Sequence, residues 1–194
     1  MDHDDSRPLR GRRQVFATLI LVPGALAVVA IVTVWFVSKP DPDADLGFRL
    51  DDAWIHMVYG RELARSGMLA YNPGTPATGA TSPLWAALLA VLHLFVGATS
   101  PNTLVVAVYI VSGVFHVATA VGCAYLTYRL IGRSTEAVVA GALVGVSPTM
   151  AAASFSGMEV SLTACLLVCG VLVYHLGHLR AAGWTLALAC LARP

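Results

Sequence analysis

Residues 15–37 read VFATLILVPGALAVVAIVTVWFV, an apolar run without a single charge. At about 1.5 Å of rise per residue such a run is about 35 Å long as a helix, enough to cross the hydrocarbon core of a bilayer. Pro23-Gly24 sits within it and could kink it; neighbouring helices can satisfy the freed backbone groups. Arg7, Arg10, Arg12 and Arg13 precede the run. Positive charge is retained in the cytoplasm, so the N-terminus is expected inside and Ser38 outside. The run is long for a signal-peptide core, and the Val-Ser-Lys-Pro that follows is a poor cleavage sequence. The segment therefore reads as an uncleaved anchor.

Composition agrees with a membrane protein. The 194 residues are 57% hydrophobic and 12% charged, whereas about a quarter of a soluble domain is charged. A net charge of +1 leaves no broad basic surface, and nucleic acid is not an expected partner. Cys123, Cys165, Cys169 and Cys190 all lie in apolar runs without His or Asp at ligand spacing. They read as buried packing residues rather than a disulfide pair or metal site.

Outward from the anchor, 38–102 is expected to be an outer loop. It opens on Pro- and Asp-rich residues 40–45. Asp51–Ser66 then has Ile55, Val58, Leu63 and Ala64 at helical spacing, which predicts an amphipathic helix along the membrane surface. Tyr71-Asn72-Pro73-Gly74 is a turn sequence. Leu84–Val96, about 13 residues long, is short for a span and is expected to be a surface or re-entrant helix. Thr103–Leu126 is a full span ending before Arg129 and Arg133, which belong inside. Ala137–Ala153 returns outward with a break at Ser147-Pro148, and Val160–Leu176 goes in again towards His178 and Arg180. The alternative, in which 84–96 crosses, inverts everything after it.

The expected architecture is thus all-α and polytopic: 1–14 cytoplasmic, 15–37 the first span, 38–102 the outer loop, and 103–194 the further spans. The run opening near Trp184 has only about ten residues by Pro194, half of the roughly 20 a span needs. The chain accordingly reads as the N-terminal part of a longer protein.

That topology gathers the distinctive acids on the outer face. Asp51 and Asp52 open the surface helix, where acids also complement the helix dipole. Asp52, His56 and Tyr59 fall at i, i+4 and i+7 and share a face. A carboxylate, an imidazole and a phenol at a membrane–water boundary suit proton handling or a hard cation such as Mg²⁺ or Mn²⁺. Arg61 and Arg65, one turn apart, are suited to lipid head groups, to pairing with Glu62, or to a phosphate. Asn72, Thr81 and Ser82 frame the Gly-rich turn 74–79. Glu159, after Ser154-Phe155-Ser156-Gly157-Met158, is an ionisable residue at a span end. Such residues are costly at membrane depth and often functional. His93 and His116 read as packed, hydrogen-bonded residues, and Arg193, in an apolar run, calls for a partner or a substrate.

Several of these stretches together resemble the first outer loop of GT-C glycosyltransferases. They are Asp51-Asp52-Ala53-Trp54-Ile55, Tyr59-Gly60-Arg61-Glu62-Leu63-Ala64, Gly67, Tyr71-Asn72-Pro73-Gly74 and Gly79-Ala80-Thr81-Ser82-Pro83-Leu84-Trp85. The similarity is to bacterial members of the type that includes mycobacterial terminal arabinofuranosyltransferases. Ser156-Gly157-Met158-Glu159 with Leu162 resembles a second motif of those proteins, and Leu191-Ala192-Arg193-Pro194 a third, in the expected order. The resemblance implies an enzyme that moves a sugar from a polyprenyl-phosphate donor to a glycan or other cell-envelope acceptor on the outer face. It implies Asp51 or Asp52 as acceptor base or ligand of a divalent metal, and Glu159 and Arg193 lining the cavity, with Arg193 towards the donor phosphate. His56, Tyr59, Arg61, Asn72, Thr81 and Ser82 complete the expected substrate-binding set. Two departures bear on the acceptor: related loops often carry Asn where Glu62 stands, and an acidic residue near Thr75 or Thr78. A non-catalytic membrane protein or subunit of a complex is the alternative; a small transporter would need polar residues through spans that read as nearly all apolar.

Overall fold

The computed structural model describes residues 7–38, 46–48, 50–97 and 100–193. The Pro- and Asp-rich loop opening at 40–45 and Pro194 lie outside them, as do the side chains of Arg7, Arg10 and Arg12. The described residues form eight helices: α1 (Arg7–Ser38), α2 (Asp51–Ser66), α3 (Pro83–Val96), α4 (Pro101–Ile131), α5 (Ser134–Gly145), α6 (Pro148–Ala153), α7 (Val160–His175) and α8 (Leu179–Ala192). One short antiparallel hairpin, β1 (Ala70–Asn72) with β2 (Thr75–Pro76), joins α2 to α3. The turn at Asn72-Pro73-Gly74 was legible in the sequence; the strands flanking it were not. Two helical segments, Arg13–Val37 and Pro101–Ile131, are long and apolar enough to cross a membrane.

α4 is the axis of the bundle, with α1, α5 and α7 packed along it. Its start is fixed by Ser100, whose Oγ accepts the Thr103 N–H at 3.1 Å, and by Pro101 in the first turn. Its end is closed by Gly132 in the left-handed conformation at φ 75°. α1 runs unbroken through Pro23, which is buried. α5 packs directly against it. A Cβ on Gly145 would sit 2.8 Å from the Pro23 carbonyl oxygen, and one on Gly141 2.7 Å from the Ala120 oxygen and 2.9 Å from Pro23 Cγ. The Gly141-x-x-x-Gly145 face thus lets three backbones touch.

Aromatic clusters mark the two ends of this bundle. Phe16 of α1 packs on Tyr125 and Tyr128 of α4; at the other end Trp35 packs on Tyr109 and Phe155. Phe16 and Trp35 are separated along α1 by about 28 Å, close to a hydrocarbon core of roughly 30 Å. α1 and α4 are therefore antiparallel.

α2 and α3 pack chiefly on each other, at the Trp35–Tyr109 end. Gly60 makes their contact close: a Cβ there would lie 2.6 Å from Leu89 Cβ. α2 stops at Gly67, φ 70°, whose N–H reaches the Leu63 carbonyl. The helix has the expected bounds. Its buried residues are Ala53, His56, Met57, Tyr59, Gly60 and Glu62, while Ile55, Val58, Leu63 and Ala64 are only partly covered or exposed. Small and polar residues face inward because α2 lies against protein, where close approach and ionic partners outweigh side-chain hydrophobicity.

Two further expectations are corrected. Cys190 is exposed and Cys123 and Cys169 half-buried; only Cys165 is buried, and all four are free thiols. Cys190 sits on a side of α8 that no described helix covers. The bundle interior also holds Ser112, His116, Thr119 and Ser161, all buried, so it is more polar than the apolar runs suggested.

Candidate functional site

Glu159 is the centre of the site. It occupies the residue before α7, is 3% exposed, and is reached from two directions. Its Oε2 is 3.6 Å from His56 Nε2 of α2, and its Oε1 is 3.8 Å from Arg193 Nη1 at the end of α8. Both separations exceed direct hydrogen-bond length, and contacts of this kind tighten or admit water when a site is occupied. His56 is itself 4% exposed, whereas the Arg193 side chain is 60% exposed and offers its remaining N–H edges outward.

The local chain explains why Glu159 arrives there. Gly157 adopts φ 76°, a left-handed turn open to glycine, and a Cβ on it would lie 2.5 Å from Phe48 Cδ1 and 2.8 Å from Ala53 Cβ. The turn is therefore pressed against the start of α2. Trp85 of α3, fully buried, donates its indole N–H to the Gly157 carbonyl at 3.0 Å. Tyr109 of α4 donates to the Gly47 carbonyl at 2.7 Å and stacks edge-on with Phe48. Three helices thus clamp the loop that delivers Glu159 to His56.

Burial pushes the His56 imidazole below the usual histidine range; the Glu159 carboxylate, and after it Asp52, pull in the opposite direction. Asp52 stands one turn before His56 on α2 and is exposed, as is Asp51. The residue before them, Leu50, provides no side-chain cap, so the two carboxylates meet the dipole and free N–H groups of the first turn themselves. Among the described residues neither aspartate has a hydrogen-bond or ion-pair partner.

The other expected residues fall elsewhere. Tyr59 is buried against Tyr71, with ring centroids 6.1 Å apart, and its hydroxyl faces Gly79, so it belongs to the hairpin side. Asn72 and Thr81 are exposed there; Ser82 is 1% exposed at the start of α3. Arg61 donates through Nε to Glu62, 3.0 Å away and 4% exposed, so its pairing is with Glu62. His93 is bonded to the Leu89 carbonyl at 2.9 Å, and His116 to that of Gly145 at 3.1 Å, as their packed reading required. No group of three or more His, Cys, Asp or Glu among the described residues could hold a metal ion, so the side chains described do not by themselves build a metal cage around Asp51 and Asp52. An open apolar groove lined by Leu26, Val29, Val34, Val146 and Pro148 lies between α1 and the α5–α6 junction; it has no charged lining.

Sequence reasoning missed Trp85 and Gly157 as positioning residues. The signal was present, a tryptophan and a glycine inside the two motifs, but nothing in the chain said that they meet. No protein-family profile, curated protein or solved structure matches this chain.

Proposed function

We propose that this chain is a multi-pass plasma-membrane protein, N-terminus in the cytoplasm, that works as a glycosyltransferase of the GT-C type. It would move a sugar from a polyprenyl-phosphate donor to a cell-envelope glycan, lipid or protein on the outer face. One observation carries the reading. Three stretches that resemble the family's motifs, far apart in the chain, supply Asp52 and His56, Glu159, and Arg193 to one cluster at one end of the bundle.

The chemistry suits those groups. A sugar hydroxyl is a poor nucleophile, and an exposed carboxylate at the start of α2, Asp51 or Asp52, is suited to orient and deprotonate it. A departing lipid phosphate carries negative charge, and the outward-facing edge of Arg193 is suited to receive it through charge-assisted bonds. Glu159 holds that guanidinium, and exposed Leu50, Trp54 and Ile55 beside the aspartates suit an interface between lipid and water. Divalent-metal assistance belongs to the reading only as a test: chelation and re-addition of Mg²⁺ or Mn²⁺.

The deciding experiment is sugar transfer from a polyprenyl-phosphate donor in membranes carrying the protein. Asp51→Asn and Asp52→Asn are assayed separately, and at least one is expected to lose activity by 100-fold or more, of the order expected when a general base is removed. Full activity in both sinks the assignment. Absence of transfer by the unsubstituted protein with every donor favours the alternative, a non-catalytic subunit of a membrane complex.

A further inference from the structure

Glu159 has a single carboxylate and cationic neighbours on both of its oxygens. Oε1 faces Arg193 Nη1 at 3.8 Å, and Oε2 faces His56 Nε2 at 3.6 Å. The two neighbours differ in kind. A guanidinium is always charged in a protein, whereas an imidazole carries charge only when both ring nitrogens hold a proton. They differ in access as well: the Arg193 side chain is 60% exposed and that of His56 5%.

A carboxylate as buried as that of Glu159 needs a counter-charge, because an unpaired charge out of water is costly. Arg193 supplies it. With that need met, burial governs His56 and holds its imidazole below the usual histidine range. Among the described residues the charges that act on His56 are those of Glu159 and, more weakly, Asp52, and both favour its protonated form. The hairpin and α3, which also pack on α2, add only Tyr71 and His93 as titratable groups, and neither acts on His56.

An anion seated on the exposed edge of Arg193 changes this balance. It neutralises the guanidinium, and His56 becomes the remaining cationic partner for Glu159. We propose that Glu159 couples the two groups: an anion on Arg193 hands the carboxylate to His56, which takes a proton from bulk water and returns it when the anion leaves. The imidazole receives the proton because it ordinarily holds one more tightly than a carboxylate does.

The coupling rests on the reading of Arg193 as a ligand of the donor phosphate and adds a role for His56 to it. Removal of the sugar from a lipid phosphodiester leaves a phosphomonoester of higher negative charge. A proton already held on His56 offsets that rise. His56 is thus a positioning residue for charge, acting through Glu159 without touching the substrate.

The test uses the whole chain in phosphatidylcholine nanodiscs with ¹⁵N-labelled histidine, the His56 signal being assigned by its loss in His56→Gln. Arg193→Gln removes the guanidinium without any ligand. His56 should then titrate higher than in the unsubstituted chain, by about half a pH unit or more. Arg193→Lys, which keeps the charge, should move it less. With Glu159→Gln already present, Arg193→Gln should no longer raise it. An unmoved or lowered His56 in Arg193→Gln, or the same rise without the Glu159 carboxylate, overturns the coupling. The second measurement uses a short alkyl phosphodiester, which lacks the ionisation of a monoester near about pH 6. Its heat of binding is compared in buffers of different ionisation enthalpy. Proton uptake on binding, lost in Glu159→Gln and in His56→Gln, is the expected result. Binding that needs Arg193 but takes up no proton overturns the coupling and leaves Arg193 a phosphate ligand. Failure of the phosphodiester to bind, with His56 raised in Arg193→Gln, removes the phosphate reading and leaves the coupling standing.

Discussion

The carboxylate of Glu159 lies 3.6 Å from the imidazole of His56, both nearly fully buried, although one opens α7 and the other is in the middle of α2. Neither residue has a comparable partner on its own helix. The pair exists only because the Gly157 turn is held between Phe48, Ala53 and Trp85.

The first prediction concerns the titration of His56, read by NMR in the intact chain. The group should titrate below the ordinary value of about 6.5. Glu159→Gln should lower it further, and Asp52→Asn should lower it by less, because Glu159 is the larger of the two opposing influences. A His56 that moves upward in Glu159→Gln contradicts the pairing.

The same shift has a sign in stability. A histidine whose folded value is depressed binds its proton more readily in the unfolded chain. Folded-state stability is therefore undiminished above about pH 6.5 and falls as pH drops below it towards the folded value. His56→Gln should flatten that part of the pH–stability curve; an unchanged slope would remove His56 as its source.

Trp85→Phe removes three buried ring atoms, the indole N–H among them. The buried Gly157 carbonyl loses its donor at a cost of about 1–3 kcal/mol. Thermal stability in detergent should fall accordingly, and the His56 titration should move with it because the loop no longer holds Glu159. If stability falls and His56 titrates as before, Trp85 supports the fold without positioning Glu159.

Gly141→Val or Gly145→Val places a side chain where α5 already touches Pro23, Ala27 or the α4 backbone. Overpacking of this kind typically costs about 1–3 kcal/mol. The folded yield in membranes should drop, more than for Gly183→Ala, where a Cβ meets nothing within 4 Å. Equal yields would mean that α1 and α5 do not pack as described.

If the transferase reading holds, Arg193→Ala should raise the KM for the polyprenyl-phosphate donor by about 10- to 100-fold, the loss of a charged hydrogen bond to phosphate. The KM for the acceptor should change little. A selective effect on the acceptor would reassign Arg193.

The sequence by itself made the helices and several of their bounds legible. Charge-free runs of sufficient length, Pro and Gly at their ends, and the switch at Asp51 are local signals, and α2, α3 and α7 begin within a residue or two of where those signals put them. It also singled out Glu159 and Arg193, because an ionisable group in or beside an apolar run is conspicuous, and His56 by its place one turn after Asp52.

Tertiary structure decided what those groups face. The apolar spacing of Ile55, Val58, Leu63 and Ala64 did not say which residues of α2 meet protein; Ala53, His56 and Gly60 are buried because the partner surfaces are α3 and the Gly157 turn. The same holds for the polar residues of the bundle interior: Ser112, Thr119 and Ser161 are buried although they stand in apolar runs, and His116 finds its partner in the Gly145 carbonyl of α5. Helix formation depends on residues a few positions apart. The pairing of a carboxylate with an imidazole from a different helix depends on how close two backbones can come, and that is set by a handful of glycines and one tryptophan whose partners the linear chain does not name.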